Sequence, residues 1–596
     1  MGMTIANPDK AKSAADQTLS IPFAAEGHRP WVDNYPEGIK WNVPIRVTPI
    51  HEQVLAACDR VPDNPAMDFL GAVTDYKTLK RQILNFAGAL QNEYGVTHGT
   101  RVALLLPNTP FYPVAYYALL MLGAVVVNCN PLYSLGELSH IVGNADADIM
   151  VTLDLAQVFE KAEALVARGH IKHVIVCSFP SALPVVKRTL FSIAKRRDLA
   201  DINASPIRDK IRWFDKLIDL GIAPAPAEID PVNDIAVQQY TGGTTGLPKG
   251  AMLTHANVAA NVDQIDKWGC GVFYAPSKVV AILPFFHIFA MTVCMNVPLS
   301  NGIETIMLPR FDIKSFLDLM QRKRPNILPS VPTLLHAIAN NRHTRPEIIS
   351  SLELAISGGA PLPSETRDDF EKVSPALLAE GYGLTECSPV VCCAALRVPS
   401  KPMSIGMPLP GTDIQFRDLD DPDKEVPPGE RGELVVKGAQ VMAGYYKNDE
   451  ATKEATSNGF FRTGDVGYVD EDGYVFLVDR IKDLILCSGF NVYPRNIEEA
   501  LLHHEAVDEV NVIGVKDEYR GEAPVAFIKF NEGMSATPAE LKTFLAERIS
   551  KIEMPRDFIF KEELPKTLIG KLSKKELREE YAQMIADKQA GTNDAQ

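Results

Sequence analysis

The stretch VALLLPNTPFYPVAYYALLMLGAVVVN, residues 102–128, decides the fold class. A short run rich in leucine at 102–106 is followed by a helical apolar pattern at 111–122 and by a second apolar run at 124–128. Apolar runs that alternate with helices are typical of βαβ units, in which both strands lie parallel in one sheet. The sequence therefore predicts an α/β protein with mainly parallel sheets. Similar short runs follow at 148–153, 172–177, 278–283, 303–308 and 352–357.

The character of the chain changes near residue 402, where glycine and proline cluster and short alternating strands follow. A compact α+β pattern of alternating strands and helices begins after residue 479, and its length is that of a separate small domain. The predicted segments are an N-terminal arm at 1–45, a large domain at 46–478 with a β-rich subdomain at about 402–478, a C-terminal α+β domain at 479–586, and a disordered tail at 587–596.

The composition narrows the functional classes. The chain of 596 residues carries a formal net charge of −15, which disfavours a general nucleic-acid binder. The negative net charge does not exclude an anionic substrate, because local amides and a few cations are enough to hold a phosphate. Nine cysteines without any CxxC spacing predict neither a disulfide framework nor a zinc site. The N-terminus has no apolar signal core, and the longest apolar run, 114–127, is shorter than a span of roughly 18 residues. We expect a cytoplasmic protein.

A segment rich in glycine and threonine, YTGGTTGLPKGA at 240–251, carries the strongest functional signal. Glycines allow the backbone to turn its N–H groups into a concave anion-binding nest, threonine hydroxyls add donors, and Lys249 adds a positive charge. The helical pattern after Leu253 places a helix N-terminus nearby, which also favours anions. The segment is not a Walker A loop, because Pro248 precedes the lysine and a glycine follows it. An ordinary glycine-rich turn is the alternative.

Five further motifs follow along the chain: SGGA at 357–360, GYGLTE at 381–386, FRTGD at 461–465, VDRIKD at 478–483 and PKTLIGK at 565–571. Together with 240–251 they closely resemble, in residue type and in order, the motifs of the adenylate-forming superfamily. This superfamily comprises acyl-CoA synthetases, firefly luciferases and adenylation domains of nonribosomal peptide synthesis. The resemblance covers nearly the whole chain. It implies an enzyme that uses ATP and Mg²⁺ and has a mobile C-terminal domain.

The resemblance implies a role for individual residues. Thr385 would contact the α-phosphate, and Glu386 would bind Mg²⁺ together with Thr245. Asp465 would accept hydrogen bonds from the ribose hydroxyls. Lys571 would bridge the substrate carboxylate and the α-phosphate, where negative charge develops. The residues implied in nucleotide binding are Tyr240, Thr241, Gly242, Gly243, Thr244, Thr245, Gly246, Lys249, Gly358, Gly359, Ala360, Gly381, Tyr382, Gly383, Asp465 and Arg480.

The stretch DRIKDLILCSGFNVYP at 479–494 narrows the substrate class. It is close to the signature of bacterial long-chain fatty-acid:CoA ligases, and KGAQVMAGYY at 437–446 supports the same assignment. The chain departs from most relatives at Phe460, where they carry tryptophan, and at 572–575, where LSKK replaces a commoner arginine pair. The residues implied in the domain hinge and in CoA binding are Asp479, Ser488, Gly489 and Phe490.

The segment LPFFHIFA at 283–290 resembles the part of these enzymes that lines the acyl and pantetheine entrances. Because a carboxylate substrate is already ionised, His287 is predicted to position or gate the substrate and not to act as a base. It joins Lys571, Thr385 and Glu386 as a candidate catalytic residue; a core histidine with satisfied hydrogen bonds is the alternative. Apolar residues between 282 and 307 are predicted to line an alkyl tunnel, although the same pattern is typical of sheet core.

A basic amphipathic segment, PVVKRTLFSIAKRR at 184–197, contains five cations and five large apolar residues. Helices of this type lie on anionic membranes, and fatty substrates partition into bilayers. We therefore hypothesise peripheral membrane contact through this segment, on the inner face of the membrane. A solvated surface helix is the alternative.

The function predicted from the sequence is that of an ATP-dependent acyl-CoA synthetase. It would convert a medium- or long-chain fatty acid to acyl-AMP and then to acyl-CoA, with Mg²⁺ as cofactor and ATP and CoA as cosubstrates. An aryl-CoA ligase or a fatty acyl-AMP ligase is the alternative within the superfamily. A luciferase-like monooxygenase and an inactive ligand-binding homologue are alternatives of another class. The preferred chain length, the pathway and the oligomeric state, including a homodimer, are left open.

Overall fold

A computed structural model describes residues 20–21, 29–241, 248–397, 401–488, 490–517, 519–566 and 572–593, with 588–593 as backbone only. Within these ranges, no helix has both the length and the apolar character that a membrane span requires. The strands are β1 (Ser20–Ile21), β2 (Ile45–Arg46), β3 (Pro65–Phe69), β4 (Ala72–Asp75), β5 (Arg101–Leu105), β6 (Val125–Asn128), β7 (Ile149–Leu153), β8 (His173–Cys177), β9 (Ile211–Trp213), β10 (Ile235–Thr241), β11 (Lys249–Thr254), β12 (Lys278–Ala281), β13 (Glu304–Met307), β14 (Ile327–Ser330), β15 (Leu354–Ser357), β16 (Leu377–Gly383), β17 (Val390–Cys393), β18 (Met407–Pro408), β19 (Thr412–Arg417), β20 (Gly432–Gly438), β21 (Gly444–Tyr445), β22 (Thr456–Ser457), β23 (Phe460–Val469), β24 (Val475–Arg480), β25 (Ile485–Cys487), β26 (Phe490–Val492), β27 (Val507–Asp517), β28 (Gly521–Phe530) and β29 (Asp557–Phe560).

The helices are α1 (Ile50–Arg60), α2 (Tyr76–Tyr94), α3 (Phe111–Met121), α4 (Leu135–Asn144), α5 (Ala156–Ala167), α6 (Val185–Ala194), α7 (Phe214–Ile218), α8 (His255–Gly269), α9 (Ile288–Ala290), α10 (Val297–Asn301), α11 (Ile313–Lys323), α12 (Pro332–Ala339), α13 (Pro346–Ile349), α14 (Ser364–Val373), α15 (Asp449–Glu454), α16 (Pro494–Leu502), α17 (Pro538–Ala546) and α18 (Lys574–Asn593). A π-helical turn, Met291–Asn296, connects α9 and α10.

The large α/β part contains two sheets whose central strands are parallel. The first sheet has the order β21-β11-β10-β6-β5-β7-β8-β9, and the second has the order β18-β17-β16-β15-β14-β12-β13-β3-β4. The βαβ unit predicted from 102–128 is confirmed, since β5 and β6 pair in parallel with Val102 opposite Val126. All 11 residues of the connecting helix α3 are buried. A helix that is apolar on every side must lie inside the core.

Two smaller sheets follow along the chain. Strands β19, β20, β22, β23 and β24 form an antiparallel sheet, and β24 ends at Arg480, directly before the next module. The last sheet has the order β26-β25-β28-β27, with β29 parallel to β28, and packs with α16 and α17 around a core of its own. Helix α18 continues to Asn593, into the segment 587–596 for which the sequence predicts disorder.

Residues 29–45 are packed more tightly than the sequence predicts for an arm. Trp31 and Trp41 are 1% and 6% exposed, and their rings meet edge to face at a centroid distance of 5.5 Å. Arg29 donates two hydrogen bonds to Asp413, at 2.8 and 3.0 Å. Two large aromatic rings bury enough apolar area to order a segment that is otherwise polar and rich in turns.

Candidate active site

A cavity of about 1740 Å³ lies where the large α/β part, the antiparallel sheet and the C-terminal module meet. The parallel strands β15 and β16 end at its wall, and the β10–β11 hairpin borders it on another side. The carboxyl ends of parallel strands are the usual place for a ligand in an α/β sheet. All predicted nucleotide-binding residues within the described ranges line this cavity. These residues are Tyr240, Thr241, Lys249, Gly358, Gly359, Ala360, Gly381, Tyr382, Gly383, Asp465 and Arg480.

The carboxylate of Asp465 is held from two sides. The Tyr382 hydroxyl donates to Oδ2 at 2.5 Å, and the Arg480 guanidinium donates to Oδ1 at 2.8 Å. Asp465 lies opposite Arg480 in the β23–β24 ladder, so the strand register itself brings the two charges together. The Asp465 carboxylate raises the pKa of Arg480, and burial raises the pKa of Tyr382. The two hydrogen bonds therefore give the carboxylate a fixed orientation, which suits a pair of sugar hydroxyls.

Glycines keep one wall of the cavity thin. A Cβ at Gly383 would lie 2.1 Å from the Pro389 carbonyl oxygen, and a Cβ at Gly358 would lie 3.0 Å from the Phe289 ring. Gly359 has φ +82°, a conformation that residues with a side chain rarely adopt. A side chain at Gly383 or Gly358 would displace backbone or ring atoms. The glycines therefore allow the segments of this wall to pack closely.

Thr385 and Glu386 follow β16 in a short 3₁₀ turn at the cavity. The Tyr445 hydroxyl donates to Glu386 Oε1 at 2.7 Å, and the backbone N–H of Met442 donates to the Glu386 carbonyl at 2.8 Å. These contacts fix one carboxylate at the cavity wall. One carboxylate with substrate phosphates is a ligand set that Mg²⁺ commonly takes, so Glu386 fits the implied cation. Its predicted partner Thr245 lies outside the described residues.

The β10–β11 hairpin carries the two ends of the glycine-rich segment. Thr241 pairs with Lys249 across the ladder, and the Lys249 ammonium lies 5.3 Å from the centre of the Tyr445 ring. Tyr240 is 5% exposed, and its hydroxyl donates to Asn144 at 2.6 Å. Tyr240 therefore supports the hairpin as well as lining the cavity. The predicted residues Gly242, Gly243, Thr244, Thr245 and Gly246 lie outside the described residues.

His287 lies at the cavity and caps the short helix α9. Its Nδ1 accepts a hydrogen bond from the backbone N–H of Phe289 at 3.3 Å, which fixes the orientation of the ring. His287 therefore lines the cavity, and its role in positioning or gating the substrate stays a prediction, as does the alternative of a core histidine with satisfied hydrogen bonds.

Apolar side chains continue the cavity away from Asp465. The predicted stretch 282–307 supplies only part of this lining, since most of its residues, including Ile282 and Met307, are buried in the core. The end of α8 and the residues after it supply apolar surface that sequence reasoning missed. The i, i+3 spacing of Ile265 and Trp268 is typical of any buried helix face, so it gave no specific signal. Apolar residues that line the cavity include Ile265, Trp268, Phe273, Phe286, Ile288, Phe289, Val293, Ile356, Val390, Leu396, Ile405 and Leu409.

The C-terminal module contributes a polar side of the cavity. Lys566 and Leu572, which bracket the undescribed segment 567–571, form an isolated antiparallel bridge and both line the cavity. The predicted catalytic residue Lys571 lies outside the described residues. Arg495, which sequence reasoning missed, donates to the Leu477 carbonyl at 2.9 Å, and its backbone N–H donates to Asp479 at 3.0 Å.

The residues implied in the hinge and in CoA binding separate into two groups. Asp479 and Arg480 line the cavity. Ser488 and Phe490 do not, and the Phe490 side chain is 60% exposed. Gly489 lies outside the described residues. The structure thus presents the Lys566–Leu572 side of the C-terminal module to the cavity and the Phe490 side to solvent.

Comparisons with known proteins agree with this geometry. A model of the AMP-binding enzyme family matches residues 54–446, and a model of the AMP-binding enzyme C-terminal domain matches residues 496–571. The fold and the site define a two-domain nucleotide-binding enzyme. The chain belongs to the AMP-binding enzyme family.

Relatives and solved structures extend this assignment. A long-chain-fatty-acid–CoA ligase of Bacillus subtilis is 36% identical over 93% of this chain and 98% of its own length. A long-chain-fatty-acid–CoA ligase of Escherichia coli is 36% identical over 94% of this chain and 99% of its own length. The ATP-bound crystal structure of MatB from Rhodopseudomonas palustris superimposes with a TM-score of 0.78 at 29% identity, covering 90% of this chain and 99% of that one.

Substitution of Asp465 by alanine is expected to weaken ATP binding about 10- to 100-fold, because a hydrogen bond to a charged group contributes about 1.5–3 kcal/mol. Isothermal titration calorimetry measures the affinity. Asp472→Ala, a change at an exposed carboxylate in the turn that connects β23 and β24, serves as the control and should leave it unchanged. Equal affinities for Asp465→Ala and the control would contradict the ribose assignment.

Proposed function

We propose that this chain joins a fatty carboxylate to coenzyme A through an enzyme-bound acyl-adenylate, and that the residues lining the cavity carry out both steps. The supporting observation is the continuity of a single cavity. The fixed carboxylate of Asp465, the carboxylate of Glu386 and apolar side chains that include Trp268 all line it. A nucleotide and an alkyl chain can therefore share one cavity.

In the first half-reaction a carboxylate oxygen of the fatty acid attacks the α-phosphorus of ATP. A new P–O bond forms, the bond to the β-phosphate oxygen breaks, and pyrophosphate leaves. Asp465 and Arg480 hold the ribose, and Thr385 donates to the α-phosphate. Positioning and charge neutralisation carry such transfers, so no covalent enzyme nucleophile is required. Mg²⁺, held by Glu386 and Thr245, would supply charge neutralisation of the phosphates.

In the second half-reaction the sulfur of the CoA thiolate attacks the acyl carbonyl carbon. A C–S bond forms, the bond from carbon to the phosphate oxygen breaks, and AMP leaves. We propose that the C-terminal domain rotates about Asp479 between the two steps. Rotation would withdraw Lys571 and bring Ser488, Gly489 and Phe490 to the cavity. The exposed Phe490 side chain is consistent with a face that is used in only one of the two steps.

The apolar lining supports a fatty acid as the substrate. Trp268 is 2% exposed, its indole N–H donates to the Ala394 carbonyl at 2.9 Å, and its ring meets Tyr35 edge to face at 5.2 Å. A side chain fixed on two sides cannot swing aside for a longer alkyl chain. We propose that Trp268 limits the depth of the acyl channel.

The deciding assay offers acids of eight to eighteen carbons together with aryl acids, and measures AMP release with CoA or with a carrier protein as the acceptor. Faster turnover of aryl acids than of fatty acids would identify the protein as an aryl-CoA ligase. Transfer of the acyl group to the carrier protein but not to CoA would identify it as a fatty acyl-AMP ligase. No consumption of ATP with any acid would reject the proposed function. A homodimer stays a prediction, and sedimentation equilibrium would test it.

Helix α6 supports the proposal of peripheral membrane contact. Its side chains Val185, Val186 and Ile193 are 75%, 71% and 75% exposed, and Leu190 is 61% exposed. No residue of the helix is buried. Five cations lie in the same segment, 184–197, and their positive charge is complementary to an anionic bilayer surface. The apolar side chains could then insert into that surface. A fatty substrate dissolved in that bilayer would then be close to the enzyme.

Replacement of Lys571 by alanine should slow pyrophosphate release with fatty acid and ATP by at least about 100-fold, because a preorganised charge at the developing anion is lost. Thioester formation from supplied acyl-AMP and CoA should stay within about twofold of the parent. Lys551→Ala, at an exposed lysine of the same module, is the control. An equal loss in both half-reactions would reject the two-orientation proposal.

Trp268→Ala is expected to shift the preferred chain length upwards. Each additional buried methylene contributes about 0.8 kcal/mol, so kcat/KM for the longer acids should rise by up to about fourfold per carbon relative to shorter ones. Competition between acids of different length, read out by mass spectrometry of the acyl-CoA products, measures the shift. Trp268→Phe keeps a bulky ring and should shift the preference less. An unchanged profile in Trp268→Ala would place the end of the channel elsewhere.

The triple variant Val186→Ser, Leu190→Ser, Ile193→Ser should lose flotation with anionic liposomes, because the apolar face of α6 no longer inserts. The matched control changes three exposed apolar side chains elsewhere, Val73, Leu220 and Val232, to serine. The parent and the control should float with anionic vesicles and not with zwitterionic ones. Equal flotation of both triple variants would show that α6 is a solvated surface helix.

A further inference from the structure

Helix α4 contacts both ends of the glycine-rich segment of the β10–β11 hairpin. Asn144 Oδ1 accepts a hydrogen bond from the Tyr240 hydroxyl at 2.6 Å, on the strand that enters the segment. His140 Nε2 lies 3.0 Å from the carbonyl oxygen of Pro248, on the side that leaves it. Residues four apart lie on one face of a helix, so a single helical face spans the two ends. Both side chains line the cavity.

The chemistry of these contacts fixes the direction of each hydrogen bond. A carbonyl oxygen only accepts, so His140 Nε2 must carry the proton. The His140 ring packs edge to face against the Tyr240 ring at 6.5 Å, and the Gln238 amide donates to the Tyr240 hydroxyl at 3.0 Å. The tyrosine hydroxyl therefore both donates and accepts, and its ring is fixed from three directions.

The same end of α4 also holds the segment that follows β21. The Lys447 ammonium donates to the Asn144 carbonyl at 3.2 Å and to Asp146 at 2.7 Å, and the Tyr446 hydroxyl donates to Asp146 at 3.0 Å. Tyr446 directly follows Tyr445, whose hydroxyl holds Glu386 at 2.7 Å. One helix thus supports the ends of the glycine-rich segment and, through the next strand, the carboxylate at the cavity wall.

We infer that α4 is the scaffold of the phosphate-binding hairpin, with His140 and Asn144 as positioning residues for the β- and γ-phosphates of ATP. This inference rests on the proposed function and on the anion-binding nest that the sequence predicts at 240–251, to which we assign those phosphates. AMP has neither phosphate, so its binding does not depend on how accurately the hairpin is held. His140 acts through the Pro248 carbonyl and Asn144 through the Tyr240 hydroxyl, and neither acts by proton transfer.

The test compares the binding of Mg·ATP, pyrophosphate and AMP by isothermal titration calorimetry. His140→Ala is expected to weaken the binding of Mg·ATP and pyrophosphate about 3- to 10-fold, the effect of one hydrogen bond, and to leave AMP within about twofold. His140→Gln should restore both affinities, because its side-chain amide carries a donor at a similar reach. Ser139→Ala, on the same helix beside Arg168, is the matched control.

A second measurement separates positioning from general damage. Thioester formation from supplied acyl-AMP and CoA needs no pyrophosphate site, so His140→Ala should leave its rate unchanged. The inference is overturned if His140→Ala binds Mg·ATP like the parent, if AMP binding falls by the same factor, or if His140→Gln behaves like His140→Ala. If the parent binds Mg·ATP and pyrophosphate but forms no acyl-CoA, the proposed function fails and the inference is judged on binding alone.

Discussion

The carboxylate of Asp465 joins the antiparallel sheet to a strand of the second sheet that lies far away in the chain. It accepts hydrogen bonds from Tyr382, at the end of that strand, and from Arg480, at the end of β24 directly before the C-terminal module. The contact combines opposite charges with a strand register that already places them face to face. Because the C-terminal module follows directly, the position of that module relative to the cavity depends on the same carboxylate.

The cavity has both polar and apolar lining residues, and they come from different elements of the fold. Glycines at the ends of β15 and β16 let the wall pack closely beside polar groups such as Glu386 and Asp465. Side chains from α8 and from the turn around His287 add large apolar groups to the same cavity. A ligand with a charged end and a long apolar end matches both kinds of lining. That match, and not the volume alone, connects the geometry to an acyl-adenylate.

In the structure the C-terminal module presents one of its sides to the cavity and another to solvent. Lys566 and Leu572 line the cavity, while Phe490 is exposed to solvent. The hydrogen bond from the Arg495 backbone to Asp479 and the contact of its side chain with Leu477 hold the module near the junction itself. Contacts away from the junction, such as that between His336 and Asp508 at 3.6 Å, would have to break in the hinge rotation that we propose.

The sequence by itself determined the α/β class, the βαβ unit at 102–128 and the residue types of the motifs. Those features follow from neighbours along the chain: apolar periodicity, glycine content and charge at fixed spacing. It did not reveal that Trp31 and Trp41 order the segment 29–45, that Trp268 borders the cavity, or that His140 supports the hairpin. The contacts of Arg29 with Asp413, of Trp268 with Ala394 and of His140 with Pro248 each join residues more than one hundred positions apart. Periodicity shows that a side chain is buried, but only the tertiary structure decides whether it is buried against the core or against a ligand.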